Sequence, residues 1–87
     1  MRAQRRDANE PAIVEALELA GYIVERHYGP DPFDILVRRI GSPIGLRMEI
    51  KMPNGILTES QREELEANGI VVVRTVDEAL DAAARWL

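Results

Sequence analysis

An 87-residue chain with 46% apolar and 30% charged residues can build one modest core and not two, so residues 1–87 are expected to form a single domain. It has no cysteine, which excludes disulfides and thiolate metal sites, and no apolar run near the ~20 residues of a membrane span or leader-like opening, so a reducing, cytoplasmic setting is expected. The net charge of −4 argues mildly against an ordinary nucleic-acid binder, although arginines gather in an N-terminal segment (1–7, expected to be flexible; Arg2, Arg5, Arg6) and around a presumed hairpin (Arg38, Arg39, Arg47).

Asn9 as cap, Pro11 in the first turn, and Ile13, Val14, Leu17 and Ala20 at helical spacing predict a first helix, stopped by Gly21. Tyr22 to Tyr28 predicts a strand, followed by the dense turn signal Gly29-Pro30-Asp31-Pro32. Phe33 to Ile40 and Gly45 to Met52 predict two more strands, separated by Gly41-Ser42-Pro43 and closed by Pro53-Asn54-Gly55. Thr58-Glu59-Ser60-Gln61 matches a capping box and opens a helix that ends at Asn68-Gly69. Ile70 to Val73 is an apolar run suited to a strand buried on both faces, and Asp77 starts a last helix with the stripe Leu80, Ala83, Ala84 and Leu87. The expected architecture is α/β in the order α-β-β-β-α-β-α, a mixed sheet flanked by helices.

Alternation along the strands places Arg47, Glu49 and Lys51 on one face and Leu46, Met48 and Ile50 on the other; Asp34, Leu36 and Arg38 likewise oppose Phe33, Ile35 and Val37. Matching apolar faces in a hairpin sets Ile35 against Ile50 and Val37 against Met48, with an even connection around Ser42-Pro43. That register puts Asp34 across from Lys51 and diagonal to Glu49. Glu10, in phase with Ile13, Val14 and Leu17, and Gln61, four residues before Leu65, are expected to face the same region. Carboxylates buried together are costly unless a cation compensates, which is the argument for a metal.

Each of these residues also has a plainer reading. Glu10 suits the positive end of a helix dipole, Gln61 is the reciprocal partner of Thr58, and Asp34 can cap a proline turn. Glu49 and Lys51 can form a surface pair with Asp34, worth ~0.5 kcal/mol. His27 is most simply a strand or surface histidine. Lys51 is the single lysine beside arginines everywhere else, a hint that an ammonium is wanted there.

Asp34 followed by Glu49-Ile50-Lys51 resembles the D…(D/E)XK signature of the PD-(D/E)XK nuclease superfamily. Across nearly its whole length the chain resembles the VRR-NUC group, the virus-type replication-repair nucleases. The stretches that carry this are Phe33 to Val37, Met48 to Lys51, Thr58 to Gln61 and Asn68 to Val73. The resemblance implies a restriction-endonuclease-like core, with Asp34, Glu49 and the backbone carbonyl of Ile50 as ligands of Mg²⁺ or Mn²⁺. It makes Lys51 the group that orients or activates water. Glu10 matches the acidic residue of the family's first helix, a further candidate ligand, and Gln61 the polar residue of the later helix. The family's Pro directly before Asp is absent at Asp34, where Phe33 intervenes; the literal Pro-Asp is Pro30-Asp31, so Asp31 is a rival ligand.

The function expected on this basis is metal-dependent endonucleolytic cleavage of DNA in a bacterial or phage-infected cell. Family members of this minimal size resemble homodimers that act on branched DNA such as Holliday junctions in repair. Arg2, Arg5, Arg6, Arg38, Arg39 and Arg47 would meet phosphates, and Tyr22, Tyr28, Trp86 and Leu87 are candidate dimer contacts. The alternatives are a nuclease for ordinary duplex or single-stranded DNA, and a catalytically silent nucleic-acid-binding module.

Overall fold

The computed structural model describes residues 7–87, so Arg2, Arg5, Arg6 and the rest of the segment up to residue 6 lie outside the described residues. The elements are α1 (Glu10–Leu19), β1 (Tyr22–Arg26), β2 (Ile35–Arg39), β3 (Gly45–Ile50), α2 (Glu59–Ala67), β4 (Val71–Val73) and α3 (Val76–Trp86). This is the expected order, with each strand shorter than the sequence implied. The trimmed ends, among them Phe33, Ile40, Met52 and the buried Ile70, lie beyond the cross-strand pairing.

The four strands form one mixed sheet in the order β1-β2-β3-β4, antiparallel through β3, with β4 parallel to β3. Ile35, Val37, Leu46, Met48 and Ile50 point to one face, where Ile13, Val14 and Leu17 of α1 and Ala79, Ala82 and Ala83 of α3 cover them. Each large side chain buried there contributes roughly 1.5–3 kcal/mol. The stripe of α3 is thus Ala79-Ala82-Ala83, flanked by half-buried Leu80 and Leu87, and Ala84 is exposed. Short alanines let α3 pack directly on α1 as well as on β4. Thr75, not Asp77, begins it, its hydroxyl accepting from the Glu78 amide at 3.1 Å.

β4 lies at the sheet edge, touching both α2 and α3, and its first two valines are only half-buried. An edge strand cannot be enclosed on both faces as a central one is. Thr58 and Gln61 form the capping box of α2 as expected. Asn9 is the N-cap of α1 by position but makes no side-chain cap; its Nδ2 instead donates to Lys51 O at 3.0 Å and Arg74 O at 2.8 Å. The helix start is therefore tied across the C-terminal ends of β3 and β4. No helix among the described residues is long and apolar enough to cross a membrane.

Candidate active site

The β2–β3 register differs from the expected one by two residues. Ile35 pairs with Met48, Leu36 with Arg47 and Val37 with Leu46. A two-residue shift preserves every face, so burial alone cannot distinguish the two registers. The turn decides. Gly41 takes φ +81°, Ser42 N donates to Arg39 O at 3.1 Å, and Ser42 Oγ accepts from Ile44 N at 3.1 Å, centring the turn one residue before Ser42-Pro43. Continuing the ladder by one residue sets Asp34 opposite Glu49, not Lys51.

Asp34 is fixed from three directions. Its N–H donates to Met48 O and its carbonyl accepts from His27 N, both at 2.8 Å, while Oδ2 accepts from Ile50 N at 2.7 Å. The Glu49 carboxyl lies against the Asp34 carboxyl, close enough for Asp34 to act on it by hydrogen bonding and by charge. Burial, then that hydrogen bond and the Asp34 charge, push the pKa of Glu49 up to about 7; Lys51 works in the opposite direction, its Nζ 3.6 Å from Glu49 Oε2. Release of the Glu49 proton as pH rises through about 7 adds a negative charge beside Asp34 and Lys51.

A polar cavity of about 140 Å³ opens beside the pair, lined by His27, Asp31, Phe33, Asp34 and Glu49 among others. Asp31 and Asp34 both reach it, but Asp31 Oδ2 lies 3.3 Å from His27 Nε2 on the exposed rim, whereas Asp34 adjoins Glu49. The loop is seated by an aromatic stack that no spacing along the chain announces. Phe33 lies against His27 with ring centroids 4.2 Å apart and planes 12° from parallel, and the Arg47 guanidinium sits 5.8 Å from the Phe33 centroid. Phe33 is the only phenylalanine in the chain and the residue that intervenes between Pro32 and Asp34.

The remaining expected residues are not all gathered here. Glu10 is buried, as its helical phase required, but its Oε2 lies 3.3 Å from Arg26 Nε and it lines a neighbouring cavity with Asp7, Arg26 and Tyr28. Gln61 is exposed rather than inward, in a first turn of α2 whose residues 59–62 are all exposed, and only Leu65 of the helix is buried. Its Oε1 accepts from Thr58 N at 2.9 Å, so its amide NH₂ is what it can offer the small cavity it lines with Glu49, Lys51 and Leu57.

Arg38 and Arg47 share the Glu49 face, with Arg38 3.8 Å from Glu25 and an Arg47 Nη donating to Asn68 O. Arg39 projects from the other face, where its Nε donates to Leu87 O at 2.5 Å. Alternation makes adjacent Arg38 and Arg39 point apart, so they cannot meet the same phosphate run.

Among the described residues no three His, Asp or Glu side chains converge as a metal cage. Asp34 and Glu49 are therefore a two-carboxylate donor set, which suits a hard cation that keeps several waters and takes further oxygens from backbone or phosphate. Comparison of the chain with protein-family models, curated proteins and solved structures finds no match.

Proposed function

We propose that the chain is a metal-dependent endodeoxyribonuclease with a restriction-endonuclease-like core of the PD-(D/E)XK type, resembling the VRR-NUC group. The observation that carries this reading is the Asp34–Glu49 carboxyl pair with Lys51 at its side. Asp34 and Glu49 would hold Mg²⁺ or Mn²⁺, with the Ile50 carbonyl as a third ligand. The bound ion would lower the pKa of water and neutralise charge on the phosphate. Lys51 orients the attacking water or meets the developing negative charge with an ammonium that needs no reorganisation. Gln61 offers its amide NH₂ from the rim. Glu10, already paired with Arg26, supports the site from the adjoining cavity rather than as a ligand.

The finer reading is a homodimer acting on branched DNA in the cytoplasm, because a chain this small has little surface with which to embrace a duplex alone and two sites suit paired cuts. Retention of Asp34, Glu49 and Lys51 together favours an enzyme over a silent binding module. The deciding experiment incubates the protein with labelled four-way junction, matching linear duplex and single strand, with Mg²⁺ or Mn²⁺. Junction cleavage is expected, and Glu49→Ala and Lys51→Ala are each expected to reduce it ~100-fold or more. Equal cleavage of junction and duplex supports the ordinary-duplex reading. Binding without cleavage supports the silent module, and residual activity within about threefold of wild type removes the catalytic assignment.

A further inference from the structure

We infer that the open edge of β4, with the groove between it and α2, takes an extended acidic–apolar peptide segment of a partner protein as a fifth strand of the sheet. This is independent of the nuclease reading. β4 ends the sheet, and among the described residues no strand pairs with its outer side. An uncovered edge of this kind is a ready template for another chain.

The backbone offers one docking point. Lys51 N donates to Val73 O at 3.0 Å, so Val73, and Val71 with it, turns its peptide groups toward β3. Alternation then turns the N–H and C=O of Val72 to the open edge. The amides on either side that would face the same way are already taken: Ile70 N donates to Leu65 O at 2.9 Å and Arg74 N to Glu78 Oε1 at 2.7 Å. Arg74 O in turn accepts from Asn9 Nδ2 at 2.8 Å. One donor and one acceptor on a single residue are what an antiparallel strand needs for one closely spaced pair of hydrogen bonds.

The side chains say what that strand carries. Val72 stands level with Glu49, on the face of the sheet away from the core under α1 and α3. Beside it a groove of about 560 Å³ is walled by Leu57, Leu65 and Val72, with Ile56 88% exposed, the most exposed large apolar side chain among the described residues. The ligand residue opposite Val72 shares its face, so an apolar side chain there enters the groove. Arg74 comes two residues after Val72, and its Nη2 donates to Gly55 O at 3.0 Å on the groove wall. Among the described residues Arg74 has no carboxylate partner, whereas Arg62, also on the wall, is paired with Glu59. A guanidinium has five N–H donors, so Arg74 can still take a carboxylate. In an antiparallel strand the residue facing Arg74 stands two positions before the apolar one. The ligand therefore reads acid, any residue, apolar.

The same charges favour a peptide over the other occupants. Glu66 also lines the groove, which suits a single acid and opposes the repeated phosphates of a nucleic acid. A second copy of the chain would present Ile70-Val71-Val72-Val73-Arg74, which brings another arginine and no acid. Leu57 and Leu65 also line the small cavity with Lys51 and Gln61, so the peptide sits behind a wall of the candidate site and leaves it open.

The test selects octapeptides from a random displayed library on the full chain and measures the most enriched one, synthesised with blocked ends, by fluorescence anisotropy. Enriched peptides are expected to carry Asp or Glu two positions before Leu, Ile, Val or Phe. Replacing the acid by its amide should raise the dissociation constant about fivefold or more, and Ile56→Asp should raise it at least about tenfold with the circular dichroism spectrum retained. Arg74→Glu should turn the selected acid into Lys or Arg. In the wild type the Val72 amide should exchange at least about tenfold more slowly when the peptide is bound, a readout that needs no variant. No enriched sequence, an enriched pattern without the acid, affinity indifferent to Ile56→Asp, or unchanged Val72 exchange would each overturn the inference. Val72 protection that grows with protein concentration alone would give the edge to a second copy, and protection by a single-stranded oligonucleotide would give it to nucleic acid; either result overturns the peptide.

Discussion

Asp34 Oδ2 accepts a 2.7 Å hydrogen bond from the amide of Ile50, the residue that separates Glu49 from Lys51. One carboxylate oxygen thereby locks the β3 backbone between the two other groups of the candidate site. A residue at the entry to β2 is tied in this way to the strand that carries the other two groups, and the consequences are measurable.

The first concerns pH. With a folded pKa of about 7 against an ordinary value of 4.5, Glu49 retains a proton in the folded chain that the unfolded chain has released. Stability from this group is therefore fully present below about pH 4.5 and is lost as pH rises through 7. Without metal, the melting temperature should fall across that window, by about 5 °C or more, and Glu49→Gln should flatten the slope. Identical slopes for variant and wild type would contradict the raised pKa of Glu49.

Metal should reverse that trend. Mg²⁺ or Mn²⁺ is expected to bind in a calorimetric titration and to raise the melting temperature above pH 7, where Glu49 has released its proton. Calcium is expected to bind without supporting turnover. Asp34→Asn should abolish binding while Asp31→Asn leaves it nearly intact, because Asp31 sits on the exposed rim beside His27. The opposite result would make Asp31 the ligand, and no heat with or without DNA would remove the metal from the proposal.

Phe33→Ala should loosen the loop that delivers Asp34. Losing the contacts with His27 and Arg47 is expected to cost about 1–2 kcal/mol and to weaken metal binding about tenfold, as displaced supporting residues commonly do. Phe33→Tyr keeps the ring and should keep the affinity. Equal affinity in Phe33→Ala and wild type would show that Asp34 is held by its backbone bonds alone.

Arg26→Ala removes the guanidinium 3.3 Å from the buried Glu10 carboxylate. Because Arg26 is itself partly exposed, the expected destabilisation lies between a surface pair and a fully buried one, about 1–3 kcal/mol by urea unfolding. Combining it with Glu10→Gln should recover much of the loss. No recovery in the double variant would mean that Arg26 acts through packing rather than through its charge.

The order of elements, the apolar faces of β2 and β3 and the capping box of α2 were legible in the sequence by itself. Each rests on a local rule: strand alternation, helical periodicity, or a hydroxyl that reaches an amide three residues on. Gathering Asp34 and Glu49 on one face also followed from alternation. Which of them stands opposite which did not, because shifting a hairpin by two residues leaves every face unchanged, and only the geometry at Gly41 and Ser42 chose the register. Pattern was equally silent on Asn9, whose local preference for capping gave way to two carbonyls, Lys51 O and Arg74 O, 42 and 65 residues away. Glu10 illustrates the same division. Its burial was set by helical phase, but its pairing with Arg26 was decided by the packing of α1 against β1, a relation between surfaces that no spacing along the chain encodes.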